Sequence, residues 1–198
     1  MGKSDPEVLD VSLEAAMQEF RRMEGIVQEL LMLTRAETDL APAPKETIKP
    51  FEFVRQSVER FASVHPDVIF KDDLHFDEAV AMEVVPHELE QILLILLDNA
   101  VKYSTGRPVI WVEGALRAPY VEIKIKDSGI GIPAKDLPHV FDRFYRVDKA
   151  RTREQGGSGL GLAIAKRLVE RNGGQISISS VEHQGTTVTL RFPKAVIK

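Results

Sequence analysis

The sequence predicts an α+β fold, a two-layer α/β sandwich preceded by one long helix. Three observations lead there. Residues 13–34 carry an apolar stripe of helical period over several turns. After residue 48, helical segments are interleaved with short alternating strands. The last strands are close enough to pair as hairpins, which sets the pattern apart from a doubly wound parallel sheet. The 198 residues suit one domain of ordinary size with a helical appendage.

Composition removes several function classes. Hydrophobic content of 43% and charged content of 28% exclude wholesale disorder. The absence of Cys excludes disulfides and thiolate metal sites. A net charge of −4 argues against a chain built to bind nucleic acid. The longest apolar run, residues 92–97, is far shorter than the roughly 20 residues of a membrane span. The start, Met1-Gly2-Lys3-Ser4, is polar and has no signal-peptide core.

The first helix is expected to open at Asp5-Pro6, with Asp as N-cap and Pro in the first turn. Its stripe runs through Leu13, Met17, Phe20, Met23, Val27, Leu30 and Thr34, with Ala16, Ile26 and Leu33 beside it. Glu14, Glu19, Arg22, Glu29 and Arg35 occupy the opposite side. Such a one-sided helix requires a partner, as in a coiled coil or four-helix bundle. Ala41-Pro42-Ala43-Pro44-Lys45 then ends it. The chain therefore divides into a helix over 1–40, a linker over 41–47 and a domain over 48–198.

Within the domain, helices are expected at 52–64, 88–102 and 160–171, and a short one at most at 134–140. Strands are expected at 68–70, 79–82, 109–113, 120–126, 175–180 and 186–192. Asn172-Gly173-Gly174 supplies a helix C-cap. Residues 141–158 read as a polar loop.

Four clusters carry residues suited to a phosphate-bearing ligand. Asp98-Asn99-Ala100-Val101-Lys102-Tyr103-Ser104 closes an apolar helix. Asp127-Ser128-Gly129-Ile130-Gly131-Ile132-Pro133 follows a strand. Gly156-Gly157-Ser158-Gly159-Leu160-Gly161-Leu162 precedes a helix, where glycine backbone and free N–H groups attract anions. Gly185-Thr186-Thr187 joins the last two strands. The Asp127 carboxylate could accept from an exocyclic amine such as that of adenine, and the Asn99 amide oxygen suits a hard cation such as Mg²⁺. Lys102 could neutralise phosphate, and Tyr103 could stack on a base. Read one at a time, each has a plainer account: a loop, an Asp-Gly turn, a helix-end Asn, a solvated Lys, a rim aromatic. The third cluster is neither a Walker A loop nor a dinucleotide fingerprint, because Leu162-Ala163 follow Gly161.

Taken in order, these clusters resemble the catalytic, ATP-binding domain of sensor histidine kinases, within the Bergerat-type ATPases. The segment 96–104 resembles the Asn box, and 127–133 resembles the first glycine box. Phe141-Asp142-Arg143-Phe144-Tyr145-Arg146 resembles the Phe box, 157–164 the second glycine box and 185–187 the third. The resemblance spans most of residues 48–193. It implies a mixed sheet with helices on one face, binding Mg·ATP. Asn99 would hold Mg²⁺, Lys102 and Arg146 would face the phosphates, and these three would serve catalysis. Asp127 would read the adenine amine. Tyr103, Gly129, Gly131, Ile132, Phe144, Gly157, Ser158, Gly159, Leu160, Gly161, Leu162 and Thr187 would complete the nucleotide site. Residues from about 135 to 158 would form a lid. One departure stands out: where the family commonly has an Asn one turn before the metal-binding Asn, this chain has Ile95.

The N-terminal helix, especially residues 22–35, resembles the second helix of the family's dimerisation hairpin. None of the five histidines has the family's acceptor motif, since His87-Glu88-Leu89 runs on into Glu90-Gln91. The expectation is a kinase fragment whose phosphoacceptor His lies on a hairpin helix outside this chain. It would be unable to phosphorylate itself. A homodimer partner and a response regulator are implied by resemblance, as is a cytoplasmic location with a membrane-anchored parent. No contact with nucleic acid or membrane is expected. The alternative is a nucleotide-binding regulatory module with impaired phosphotransfer.

Overall fold

A computed structural model describes residues 6–37, 43–75, 79–147 and 157–195. Helix α1 spans Pro6–Glu37, α2 Pro50–Val64, α3 Pro86–Lys102 and α4 Gly161–Arg171. The strands are β1 Glu46–Ile48, β2 Ile69–His75, β3 Ala81–Val84, β4 Val109–Arg117, β5 Tyr120–Asp127, β6 Gln175–Val181 and β7 Gly185–Ala195. The expected cap at Asp5, Ala41-Pro42 of the linker and residues 148–156 of the expected lid, Gly156 included, lie outside the described residues.

All seven strands form one sheet in the order β1-β3-β7-β5-β4-β2. β7 gives one edge to β5, and divides the other between β6 along 185–191 and β3 at 194–195. β2 runs parallel to β4, and every other pairing is antiparallel. This is the mixed sheet expected from the sequence. The β4–β5 and β6–β7 hairpins supply its antiparallel character.

Side-chain alternation gives the sheet two unlike faces. Ile110, Val112, Val121, Ile123, Ile125, Val188, Leu190 and Phe192 are buried against the helices. The intervening residues form the other face, where Lys71 and Lys126 approach the Trp111 ring at 5.3 and 5.4 Å. Helix α3 is the centre of the covering layer. Leu89, Ile92, Leu93, Leu96 and Leu97 recur at spacings of three and four and are all buried. Each contributes about 1.5–3 kcal/mol through burial.

Local signals fix the helix ends. Pro86 stands in the first turn of α3 after the extended Val85. At the far end of α4, Gly173 takes φ 78°. The Gly173 N–H then donates to the Glu170 carbonyl, and Gly174 N–H to Val169, closing the helix as expected. Asn172 ties this end to the start of α3. Its Oδ1 accepts the Val85 N–H at 2.7 Å, and its Nδ2 donates to Glu88 Oε2 at 2.7 Å.

Helix α1 meets the domain through its last turns. Leu33 is buried, Met32 is packed against the core, and Gln91 Nε2 donates to Met32 Sδ. The stripe from Leu13 through Met17, Phe20 and Met23 to Val27 is exposed. β2 runs on to His75, beyond the strand expected at 68–70. β1 forms inside the stretch read as linker, pairing Glu46–Ile48 with Val84, Glu83 and Met82. The segment around 134–140 holds only a single 3-10 turn, Leu137–His139.

Candidate functional site

A cavity of about 260 Å³ opens where α3, the ends of β5 and β6, and the start of β7 meet. Asn99 from α3 and Tyr103 just after it line the cavity, with Asp127, Gly131, Ile132, Arg146 and Leu162 from the other clusters. Asp127 is the last residue of β5 and is buried. Its Oδ1 accepts the N–H groups of Gly129 at 2.8 Å and Thr186 at 3.2 Å. Burial raises its pKa, and these two hydrogen bonds hold the rise in check. The second carboxylate oxygen is outside that pair of bonds.

The turn after Asp127 requires its glycines. Gly131 has φ 66°, and a Cβ there would lie 2.1 Å from the Val181 carbonyl oxygen. A Cβ on Gly129 would meet the Tyr103 carbonyl oxygen at 2.2 Å. That carbonyl instead accepts the Ile130 N–H at 3.0 Å, while Ile130 O accepts from His183 N at 2.7 Å. The first glycine turn is thus clamped between the end of α3 and the β6–β7 hairpin. Ser180 completes the clamp: its hydroxyl accepts the Ile132 N–H and donates to Gly185 O.

The second glycine turn lies against the Phe141–Arg146 segment. Phe144 N–H donates to Gly159 O at 2.9 Å; Gly159 takes φ 76°, and a Cβ there would stand 2.9 Å from the Phe144 backbone. Gly161, the first residue of α4, faces α3, where a Cβ would be 3.3 Å from Ile95 Cγ2 and 3.9 Å from Asn99 Nδ2. The amide of Asn99 therefore sits beside a helix N-terminus, a site favourable to anions. A Cβ on Gly157 would lie 2.7 Å from Lys102 Nζ. Ser158 is hydrogen-bonded to Glu29 of α1, and its Oγ accepts the Leu160 N–H.

Two cationic side chains, Lys102 and Arg146, stand at this end of the site. Nε and Nη2 of Arg146 are buried and have no hydrogen-bond partner among the described residues. Burial pushes the Lys102 pKa below its ordinary value; Asp98 resists the fall, Arg146 adds to it and Glu29 resists it. Burial raises the Tyr103 pKa. An anion bound between Lys102 and Arg146 would relieve the cost of both desolvated cations.

The structure gathers Asn99, Tyr103, Asp127, Gly131, Ile132, Arg146 and Leu162 around the cavity and leaves the other expected residues outside its lining. Thr187 pairs with Lys126 and Ser179 on the face of the sheet turned away from the cavity. Thr186 and Val188 line the cavity instead, because neighbouring residues of a strand point to opposite faces. Lys102, Gly157, Ser158, Gly159, Leu160 and Gly161 lie around the second glycine turn, beyond the cavity lining; Gly129 and Phe144 also stand outside it. Tyr145, Glu182 and His183 line the cavity unforeseen. Tyr145 was legible only as part of the Phe box; its hydroxyl donates to buried Asp136 at 2.6 Å.

A mixed sheet with one helical face, carrying these glycine turns around one cavity, defines an ATPase class. The chain belongs to the histidine kinase-, DNA gyrase B- and HSP90-like ATPase family, whose profile matches residues 84–196. Within that family it is similar to the signal transduction histidine-protein kinase ArlS of Staphylococcus aureus. The two are 40% identical over 191 residues, which are 96% of this chain and 42% of ArlS. The chain thus spans less than half the length of that relative. Among solved structures, the mycobacterial sensor histidine kinase MprB is 28% identical with a TM-score of 0.65, covering 77% of this chain and 99% of MprB. Full-length ShkA in complex with AMPPNP shares the fold at 21% identity and a TM-score of 0.77, covering all of this chain and 41% of ShkA. The histidine kinase ThkA in complex with its response regulator TrrA does so at 22% identity and a TM-score of 0.73, covering 98% of this chain and 53% of ThkA.

Proposed function

We propose that this chain is the catalytic part of a two-component sensor histidine kinase, binding Mg·ATP and passing its γ-phosphoryl group to a histidine on another helix. One observation carries the reading: Asp127, Asn99 and Arg146, whose buried Nε and Nη2 have no hydrogen-bond partner among the described residues, border a single cavity beside the second glycine turn. In this reading the second oxygen of Asp127 accepts the adenine amine, and Tyr103 flanks the base. Arg146 and Lys102 take the phosphates, with backbone N–H groups of the second glycine turn other than that of Leu160 completing the cradle.

The donor set fits a lone Mg²⁺ held mainly by water and phosphate. Among the described residues no group of three or more His, Cys, Asp or Glu could hold a metal. Asn99 would be its protein ligand, as Mg²⁺ keeps several waters. The ion would supply charge neutralisation at the phosphates.

In the transfer itself the acceptor imidazole nitrogen attacks the γ-phosphorus. The bond to the bridging oxygen breaks, and ADP departs with that electron pair. The chain's task is positioning and charge stabilisation. The acceptor would come from a dimerisation hairpin, with α1 as its second helix and a second copy completing the bundle. The exposed stripe from Leu13 to Val27 supports this placement. A response regulator would receive the phosphoryl group, by analogy with ThkA, which was solved with TrrA. No helix among the described residues is long and apolar enough to cross a membrane. A membrane-anchored parent with this part in the cytoplasm is the arrangement we favour by resemblance.

The test is calorimetric titration with an unhydrolysable ATP analogue, with and without Mg²⁺, followed by phosphotransfer to a separately produced acceptor hairpin. Binding with transfer supports the kinase; no binding rejects it. Binding without transfer would favour the second reading, a regulatory nucleotide module. Ile95 supports that alternative, since its apolar side chain faces Gly161, where a polar residue could have positioned metal or water.

A further inference from the structure

Helix α1 places a carboxylate on the glycine turn assigned above to phosphate. Glu29 is hydrogen-bonded to Ser158, which stands between Gly157 and Gly159. The same Ser158 Oγ accepts the Leu160 N–H at 3.0 Å, so Glu29 is linked through one side chain to the turn's backbone. Lys102 Nζ also approaches Gly157, 2.7 Å from where a Cβ would stand, and the Glu29 charge acts on it. A negative group therefore already neutralises part of the cationic surface that a triphosphate needs.

We propose that Glu29 is an intramolecular latch whose carboxylate competes with nucleotide phosphates, so that docking of α1 and binding of ATP oppose one another. The inference rests on the nucleotide reading of the site. A triphosphate arriving at 157–161 brings three to four negative charges beside Glu29, and repulsion between them favours release of α1. The rest of the docked contact lies in the last turns of α1, where Leu33 is buried, Met32 and Ile26 are half-buried and Gln91 donates to Met32 Sδ. The upper part of α1 stays exposed and would travel with it. Coupling of this kind is reciprocal: whatever holds α1 on the domain weakens nucleotide binding by the factor that nucleotide weakens docking.

The experiment uses the whole chain and its Glu29→Gln variant, which keeps side-chain size and loses the charge. Each is titrated with an unhydrolysable ATP analogue plus Mg²⁺ and, separately, with adenosine. Amide hydrogen exchange over residues 23–34 is followed with and without the analogue. The latch predicts roughly three- to tenfold tighter analogue binding by E29Q, with adenosine affinity unchanged. It also predicts faster exchange at 23–34 when the analogue binds the unmodified chain. Leu33→Ala, which loosens docking without touching charge, is expected to tighten analogue binding in the same direction. Equal analogue affinities together with unchanged exchange would overturn the latch while leaving the site reading intact. If neither chain binds analogue or adenosine, the nucleotide site itself fails and the latch falls with it.

Discussion

Oδ1 of Asp127, at the end of β5, accepts the Thr186 N–H from the start of β7, 59 residues away in the chain. This bond joins two neighbouring strands at the floor of the cavity and fixes which carboxylate oxygen stays available. Asp127→Asn should preserve it, because an amide oxygen can accept both the Gly129 and Thr186 N–H groups. The other atom becomes an NH₂ donor, which opposes the adenine amine. We expect affinity for the ATP analogue to fall about tenfold or more, with the preference shifting toward a base that offers an oxygen. Calorimetry with adenine and guanine nucleotides checks this.

The same substitution has a pH signature. The folded pKa of Asp127 is raised by burial above its unfolded value. Between those two values the folded chain binds more protons than the unfolded one, so stability falls as pH rises through that window and stays lower above it. The amide that replaces the carboxylate does not ionise. The variant should therefore unfold no earlier than the parent at neutral pH, and its stability should change less across the acidic window. Thermal melts from pH 3 upward separate the outcomes.

Glycine substitutions should sort by surroundings. Gly131→Ala forces a Cβ to within 2.1 Å of the Val181 carbonyl at φ 66°. We expect a cost of about 2–4 kcal/mol and loss of nucleotide binding. Gly25 lies inside α1 with nothing within 4 Å of an added Cβ. Gly25→Ala should instead favour the helix by about 0.5–1 kcal/mol. Urea titration monitored by circular dichroism reads both.

Much of this was legible because the motifs are local. Helix α3 announces itself through its leucine spacing, and each glycine turn stands beside a strand or helix end visible in the sequence. Register was harder. Thr186 and Thr187 are chemically alike, and only the pairing of β7 with β5 decides which one faces the cavity. β1 is three residues long, two of them polar, so no alternation exists to be read. The charged run Lys71-Asp72-Asp73 concealed the second half of β2, a strand at the edge of the sheet. Glu29 reaches Ser158 across 129 residues, and no local pattern reports such a contact.

Asn172 should matter to stability more than its place at a helix end suggests. Asn172→Ala strips the Val85 N–H of its acceptor and leaves Glu88, 4% exposed, without its amide partner. The remaining ion pair with Arg171 is 3.3 Å long. We expect a loss of about 2–4 kcal/mol. Asn172→Asp should be worse at neutral pH, since it sets a second carboxylate beside Glu88, and should recover partly on acidification. Urea midpoints at two pH values test this pair.

Arg146 should show the opposite balance. Its buried Nε and Nη2 have no partner among the described residues, so the nucleotide-free chain carries the desolvation cost of a cation. Arg146→Met keeps an unbranched apolar stem and removes that cost. The variant should be as stable as the parent or more so, by up to about 1 kcal/mol, when no nucleotide is present. Binding should suffer where phosphates are involved: affinity for the ATP analogue should fall about 10- to 100-fold, as expected for a lost charge-assisted hydrogen bond. Adenosine binding, which rests on Asp127, should change little. A parallel loss of adenosine and analogue affinity would place Arg146 at the base or in the fold, and would remove it from the phosphate site.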